Sequence, residues 1–145
     1  MEIAMVGLGR MGANMTQRLL DGDHRVVVSD LNADAVAASA AAGAVASASL
    51  GEMAAHLTPR RAIWLMVPSG APVQSTIDAL APLLERGDII VDGGNSNYHD
   101  SLRRAGELAT RGIEFVDAGT SGGIWGLKEG YCLMVGGSDD AVGYI

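Results

Sequence analysis

Ile3-Ala4-Met5-Val6-Gly7-Leu8-Gly9-Arg10-Met11-Gly12-Ala13-Asn14-Met15 is the stretch whose reading decides the fold. Four apolar residues in a row predict a buried strand, and a helical pattern follows from about Arg10 to Leu20. Between them three glycines stand in the order G-x-G-x-x-G. That motif is a weak signal by itself, but between a strand and a helix it has a mechanism. Gly7 permits a tight turn, Gly9 lets the backbone approach a pyrophosphate, and Gly12 lets the helix pack close to the strand. The first turn of the helix then presents unpaired N–H groups and the positive end of its dipole to phosphate oxygens. Gly7, Leu8, Gly9, Arg10, Met11 and Gly12 are therefore candidate contacts to a dinucleotide.

The next strand supports this reading. Arg25 to Ser29 contains Val26-Val27-Val28 and ends at Asp30, 18 positions after Gly12. A carboxylate there can accept hydrogen bonds from the adenosine ribose hydroxyls and would repel a 2′-phosphate. Leu31 and Asn32 follow it, so no arginine stands ready for that phosphate, and NAD is expected as cofactor rather than NADP.

Further along, short aliphatic runs alternate with amphipathic ones. Asn32 is placed to cap a helix that stops at Gly43, and Ser49 with Glu52 has capping-box spacing. Ala62–Val67, Asp88–Asp92, Glu114–Asp117 and Tyr131–Val135 predict strands; Pro72 to Glu85 and Asp100 to Arg111 predict helices. Continuous apolar strands separated by helical segments predict an α/β fold. The expected architecture is a doubly wound, mostly parallel sheet of Rossmann type with helices on both faces. No internal repeat or linker divides it, so residues 1–145 read as one domain.

Composition agrees and narrows the partners. Hydrophobic residues are 48% of the chain and charged ones 19%, enough apolar material for a packed core. The net charge of -7 and a single lysine, Lys128, leave no basic stripe, so no nucleic acid is expected. No apolar run approaches the length of a membrane span and no basic leader opens the chain, so a cytoplasmic protein is expected. Cys132 cannot form a disulfide within the chain, and its apolar neighbours predict a buried thiol. His24, His56 and His99 lack metal-ligand spacing, and no metal is expected.

Ligands of doubly wound sheets bind beyond the carboxyl ends of the strands. Three clusters fall there: Val67-Pro68-Ser69-Gly70, Asp92-Gly93-Gly94-Asn95-Ser96, and Asp117-Ala118-Gly119-Thr120-Ser121-Gly122-Gly123. The last two combine hydroxyls, a neutral amide and exposed backbone N–H groups, which suit a carboxylate or phosphate.

These motifs together resemble 6-phosphogluconate dehydrogenase, within the larger group of β-hydroxyacid dehydrogenases. Met5 to Met15 is similar to the cofactor signature of the whole group. Asp92-Gly93-Gly94-Asn95-Ser96-Asn97-Tyr98 and Ser121-Gly122-Gly123 resemble the phosphogluconate branch. Gly119 to Gly137, where Ile124 and Trp125 replace acidic residues of the longer members, is similar to the shorter bacterial form, often NAD-linked. The resemblance implies that Asn95, Ser121, Gly122 and Gly123 contact the sugar acid, and that Val67, Pro68 and Asn95 flank the cofactor. It implies oxidation of 6-phosphogluconate and loss of carbon dioxide to give ribulose 5-phosphate, by an enzyme that is a homo-oligomer at full length.

That chemistry needs a base for the hydroxyl proton and an acid for the enediol. The resemblance implies a lysine and a glutamate on a helical region after the cofactor domain, in a pattern like Lys-x-x-His-Asn. Nothing in the 145 residues matches it, and Lys128 in its glycine-rich stretch is not expected to serve. No catalytic residue is assigned within this chain. The helix announced by Ser138 has only a few residues before Ile145, so the domain reads as a truncated cofactor domain. Two other readings stay open: a non-catalytic NAD-binding module, or the cofactor domain of another small β-hydroxyacid dehydrogenase.

Overall fold

A computed structural model describes residues 1–145 apart from the side chain of Ile124. Its seven strands are β1 (Glu2–Val6), β2 (Arg25–Ser29), β3 (Val45–Ala46), β4 (Ala62–Leu65), β5 (Ile89–Asp92), β6 (Glu114–Ser121) and β7 (Cys132–Gly136). They form one sheet in the order β3-β2-β1-β4-β5-β6-β7, parallel throughout except for β7, which runs antiparallel to β6. The helices are α1 (Arg10–Asp21), α2 (Ala33–Ala41), α3 (Leu50–Ala55), α4 (Ala71–Leu80), α5 (Tyr98–Ala109), α6 (Gly126–Glu129) and α7 (Asp139–Tyr144).

The strands read as unbroken apolar runs because both sheet faces are covered. One core contains Ala4, Val6, Val27, Ile63, Leu65 and Ile90 with Met53, Val73, Leu80 and Leu108 from α3, α4 and α5. The other contains Ile3, Met5, Val26, Val28, Trp64 and Val91 with Met15 of α1 and Ala141 of α7. Alternate residues of one strand thus feed opposite cores, as strand geometry requires. The doubly wound, Rossmann-type α/β architecture expected from the pattern is the one observed.

The local differences have physical causes. β3 has two residues, too few for any periodicity to reveal it. α5 begins at Tyr98, ahead of Asp100, because the Asn97 side chain accepts the N–H of His99 (2.9 Å) and caps it. β6 continues past Asp117 to Ser121 because β7 folds back along that extension and pairs with it. Cys132, expected to be buried, is exposed: β7 is the sheet's edge, and neither of its faces is covered.

Candidate functional site

Sheet order reverses between β1 and β4, and the candidate residues gather at the carboxyl end of that junction. Two helices start there, α1 after β1 and α4 after β4, and both start from glycine without a capping side chain. Asn32, Ser49, Asn97 and Ser138 cap α2, α3, α5 and α7 with side-chain oxygens. Apart from the four-residue α6, the helices that start without a side-chain cap therefore flank the junction itself. In α1 the first backbone bond runs from the Ala13 N–H to the Gly9 carbonyl (2.9 Å), so the N–H groups of Arg10, Met11 and Gly12 lie ahead of the ladder.

The three glycines of the loop do different work. Gly7 has φ +96°, and a Cβ there would lie 2.5 Å from the Met66 carbonyl oxygen. A Cβ on Gly12 would lie 1.9 Å from the Gly7 carbonyl oxygen, so α1 packs directly on the turn. A Cβ on Gly9 would meet no protein atom within 4 Å. Gly7 and Gly12 serve the protein's own packing, whereas the space beside Gly9 is open to solvent.

Asp30 closes β2 and is tied to this loop. One of its carboxylate oxygens accepts the Leu8 N–H, and the other accepts the Asn32 N–H (2.7 Å). Each oxygen keeps a lone pair for an incoming hydroxyl. Leu31 beside it is fully exposed.

Val67 and Pro68 lie on the loop after β4, against the turn that follows β5. A Cβ on Gly94 would come within 2.6 Å of the Val67 carbonyl oxygen, and one on Gly93 within 2.2 Å of Trp64 Nε1. Asn95 follows with φ +55°, the left-handed region in which asparagine is among the better-tolerated side chains. Its amide is locked to β6: Oδ1 accepts the Thr120 N–H (2.9 Å) and Nδ2 donates to the Thr120 carbonyl (3.2 Å). This brings Asn95 beside Ser121, with one N–H and further acceptor capacity still free. Gly122 (φ +135°) and Gly123 (φ +47°) turn the chain from there into α6. Arg18 of α1 donates to the Leu127 carbonyl (3.1 Å), which holds that turn over α1. The glycine loop, Asp30, Val67-Pro68, Asn95 and Ser121-Gly122-Gly123 thus share one edge of the sheet.

A family model described as the NAD binding domain of 6-phosphogluconate dehydrogenase matches residues 2–145. The chain belongs to that family. It is 46% identical over 137 residues to the NAD(+)-dependent, decarboxylating 6-phosphogluconate dehydrogenase of Haloferax volcanii, covering 94% of this chain and 45% of the relative. Its fold matches the Plasmodium falciparum 6-phosphogluconate dehydrogenase, solved with NADP+ and with 6-phosphogluconate, at TM-score 0.89 and 26% identity. That match covers 99% of this chain and 32% of the solved one. The 3-hydroxyisobutyrate dehydrogenase of Mycobacterium tuberculosis matches at TM-score 0.86 and 26% identity, covering 99% and 48%. The chain therefore spans 32% to 48% of the length of these relatives.

The domain also holds a polar centre that its sequence did not announce. Asp92 at the end of β5 is completely buried and pairs with buried Arg104 of α5 (3.2 Å). Arg104 falls on the inward stripe of α5 with Ser101 and Leu108, at helical spacing. A charged residue interrupting such a stripe, opposite a buried carboxylate, is the signal that could have found it. Asp117 is the neighbour of Asp92 across the β5–β6 register. Burial pushes its carboxyl above the usual range and the Asp92 charge adds to this, while Ser101 and Arg104 pull the other way. Lys128, by contrast, is exposed, with Nζ 3.7 Å from Glu129. Among the described residues, no cluster of His, Cys, Asp or Glu could hold a metal ion, and no helix is long and apolar enough to cross a membrane.

Proposed function

We propose that this chain binds NAD(H) as the cofactor half of a 6-phosphogluconate-type oxidoreductase, with Asp30 selecting NAD over NADP. The observation that carries the reading is the open N-terminus of α1 beside an Asp30 carboxylate already fixed by the Leu8 N–H. The pyrophosphate would sit on the N–H groups of Arg10, Met11 and Gly12, and the adenosine ribose would donate to Asp30. A 2′-phosphate would place two negative charges against one another at that point. Val67 and Pro68 would wall the nicotinamide half. Asn95, Ser121, Gly122 and Gly123 would face 6-phosphogluconate, whose charged groups suit a turn rich in free N–H donors.

In this reading the 145 residues hold and orient the cofactor, while the proton-transfer groups of the decarboxylation come from another part of the enzyme. Lys128 is exposed, with Nζ 3.7 Å from Glu129, and is given no part in the proton transfer. Titration calorimetry tests the assignment: NAD+ binds at least tenfold more tightly than NADP+, and Asp30→Ala abolishes the difference. Equal or reversed preference in the unaltered chain overturns the role given to Asp30. Purified 145-residue protein mixed with NAD+ and 6-phosphogluconate produces no rise in NADH absorbance; a substrate-dependent rise overturns the division of labour.

A further inference from the structure

The buried arginine of α5 has no part in the chemistry above, and ordinary packing does not account for it. Replacing a buried ion pair by apolar side chains of similar volume is often neutral or stabilising, so stability alone gives no reason for an arginine here. Its acceptors give one. Arg104 Nη1 donates to Asp92 Oδ2 (3.2 Å) and to Ser96 Oγ (3.1 Å). Nη2 donates to the Gly70 carbonyl (3.1 Å) and Nε to Gln74 Oε1 (3.1 Å). Four acceptors from three segments converge on one planar group: the end of β5 with its loop, the last residue before α4, and the first turns of α4. A guanidinium fork can satisfy such a set in one fixed geometry, which an ammonium or an apolar side chain cannot.

These segments form the two sides of the gap beside the sheet's reversal point. Gly70 ends the loop that carries Val67 and Pro68, and Ser96 directly follows Asn95. The same network holds the intervening turn, because Asp92 Oδ1 accepts the Gly94 N–H (3.0 Å). We propose that Arg104 is a positioning residue for the nicotinamide half of the dinucleotide: it sets the distance between the Val67–Gly70 loop and Asn95 without touching the ligand. This inference rests on the dinucleotide reading given above. It adds that the adenosine half, held by the Gly7–Gly12 loop and Asp30, is independent of Arg104.

ADP-ribose lacks the nicotinamide, so the ratio of NAD+ to ADP-ribose affinity isolates the effect. Arg104→Met alone would strand the buried Asp92 charge, so the test uses the charge-neutral double variant Asp92→Asn with Arg104→Met. The amide that replaces the carboxylate retains an oxygen for the Gly94 N–H. In the double variant ADP-ribose affinity stays within twofold of the unaltered chain, while the NAD+ to ADP-ribose ratio falls at least fivefold. Ser96→Ala, which leaves the ion pair intact, lowers the ratio in the same direction and decides the matter if the double variant fails to fold. An unchanged ratio in a folded double variant, or in Ser96→Ala, overturns the proposal. So does an unaltered chain that binds ADP-ribose and NAD+ equally. Failure of the unaltered chain to bind either ligand is a different result, and it refutes the dinucleotide reading itself.

Discussion

Alanine substitutions at Gly9 and Gly12, three residues apart in one loop, both weaken binding, but only the second costs stability. Gly9 is the N-cap of α1 with φ -58° and ψ -180°, a conformation open to any residue, and its Cβ would meet no protein atom. Alanine is a poorer N-cap than glycine by about 0.5–1 kcal/mol, and the lost unfolded-state freedom returns ~0.4–1 kcal/mol. Stability should then stay within about 0.5 kcal/mol of the unaltered chain. The new methyl occupies the open space through which a pyrophosphate would reach the backbone. Losing one charge-assisted hydrogen bond costs about 1.5–3 kcal/mol, which corresponds to roughly tenfold to hundredfold weaker NAD+ binding. At Gly12 stability and binding fall together. Its Cβ would lie 1.9 Å from the Gly7 carbonyl oxygen, so α1 must retreat by about 1 Å to relieve that contact. Alanine gains ~0.5–1 kcal/mol of helix propensity, but overpacking against a backbone atom costs ~1–3 kcal/mol. A net loss of about 1–2 kcal/mol follows, and binding weakens with it because the helix end has moved. Urea denaturation followed by circular dichroism, paired with calorimetric NAD+ titration, reads both quantities. A Gly9→Ala chain that binds like the original, or a Gly12→Ala chain that is equally stable, would refute the division of roles.

The remaining expectations concern titration and exposure. Asp117 has a carboxyl raised by burial and by the Asp92 charge, so the folded state holds its proton more tightly than the unfolded chain does. Its ionised form therefore lowers stability at neutral pH, a deficit that fades as pH falls through the folded value and is gone below the unfolded one. Asp117→Asn raises the urea midpoint at pH 7 and loses that advantage at about pH 3; an equal gain at both pH values contradicts the electrostatic cause. Cys132 lies on the uncovered edge strand, so a thiol reagent such as Ellman's titrates one thiol per chain in native buffer. A thiol that reacts only after denaturation would show that edge to be covered in solution.

What was legible in the sequence shares one property: its signal is local. Apolar runs, glycines placed between strand and helix, and capping residues such as Asn32 and Ser49 act within a few positions of themselves. They were enough for the sheet, its winding and the loop at Gly7–Gly12. The exposure of Cys132 depended instead on β7 being an edge, a property of strand order that a single strand's composition does not carry. Asn95 shows the same limit from within the candidate site. Its place after a strand was readable, but the use of its amide on Thr120, 25 positions away, was not.

Arg104 marks where local reading fails for a physical reason and where a better rule can replace it. In sequence it reads as one of the charged residues that decorate a helix, because adjacent Arg103 and Arg104 differ only in the direction they face. Arg103 pairs with Asp100 and Glu107 in solvent, and Arg104 turns inward to Asp92. The distinguishing fact is the company each keeps at helical spacing: Ser101 and Leu108, both buried, lie on the stripe of Arg104. An aspartate ending an apolar strand in a doubly wound sheet is close-packed on both faces and demands a cation or several N–H donors. The helix that follows the strand folds back over the sheet, so its inward stripe is the first place to seek that cation. Applied to Asp92, the rule leads to Arg104. Applied to Asp30, just after β2, it finds no arginine on the inward face of α2, and there the demand is met by the N–H groups of Leu8 and Asn32. The two carboxylates therefore differ in kind: Asp92 is closed off by a buried arginine, while Asp30 is held by backbone N–H groups and keeps lone pairs unused.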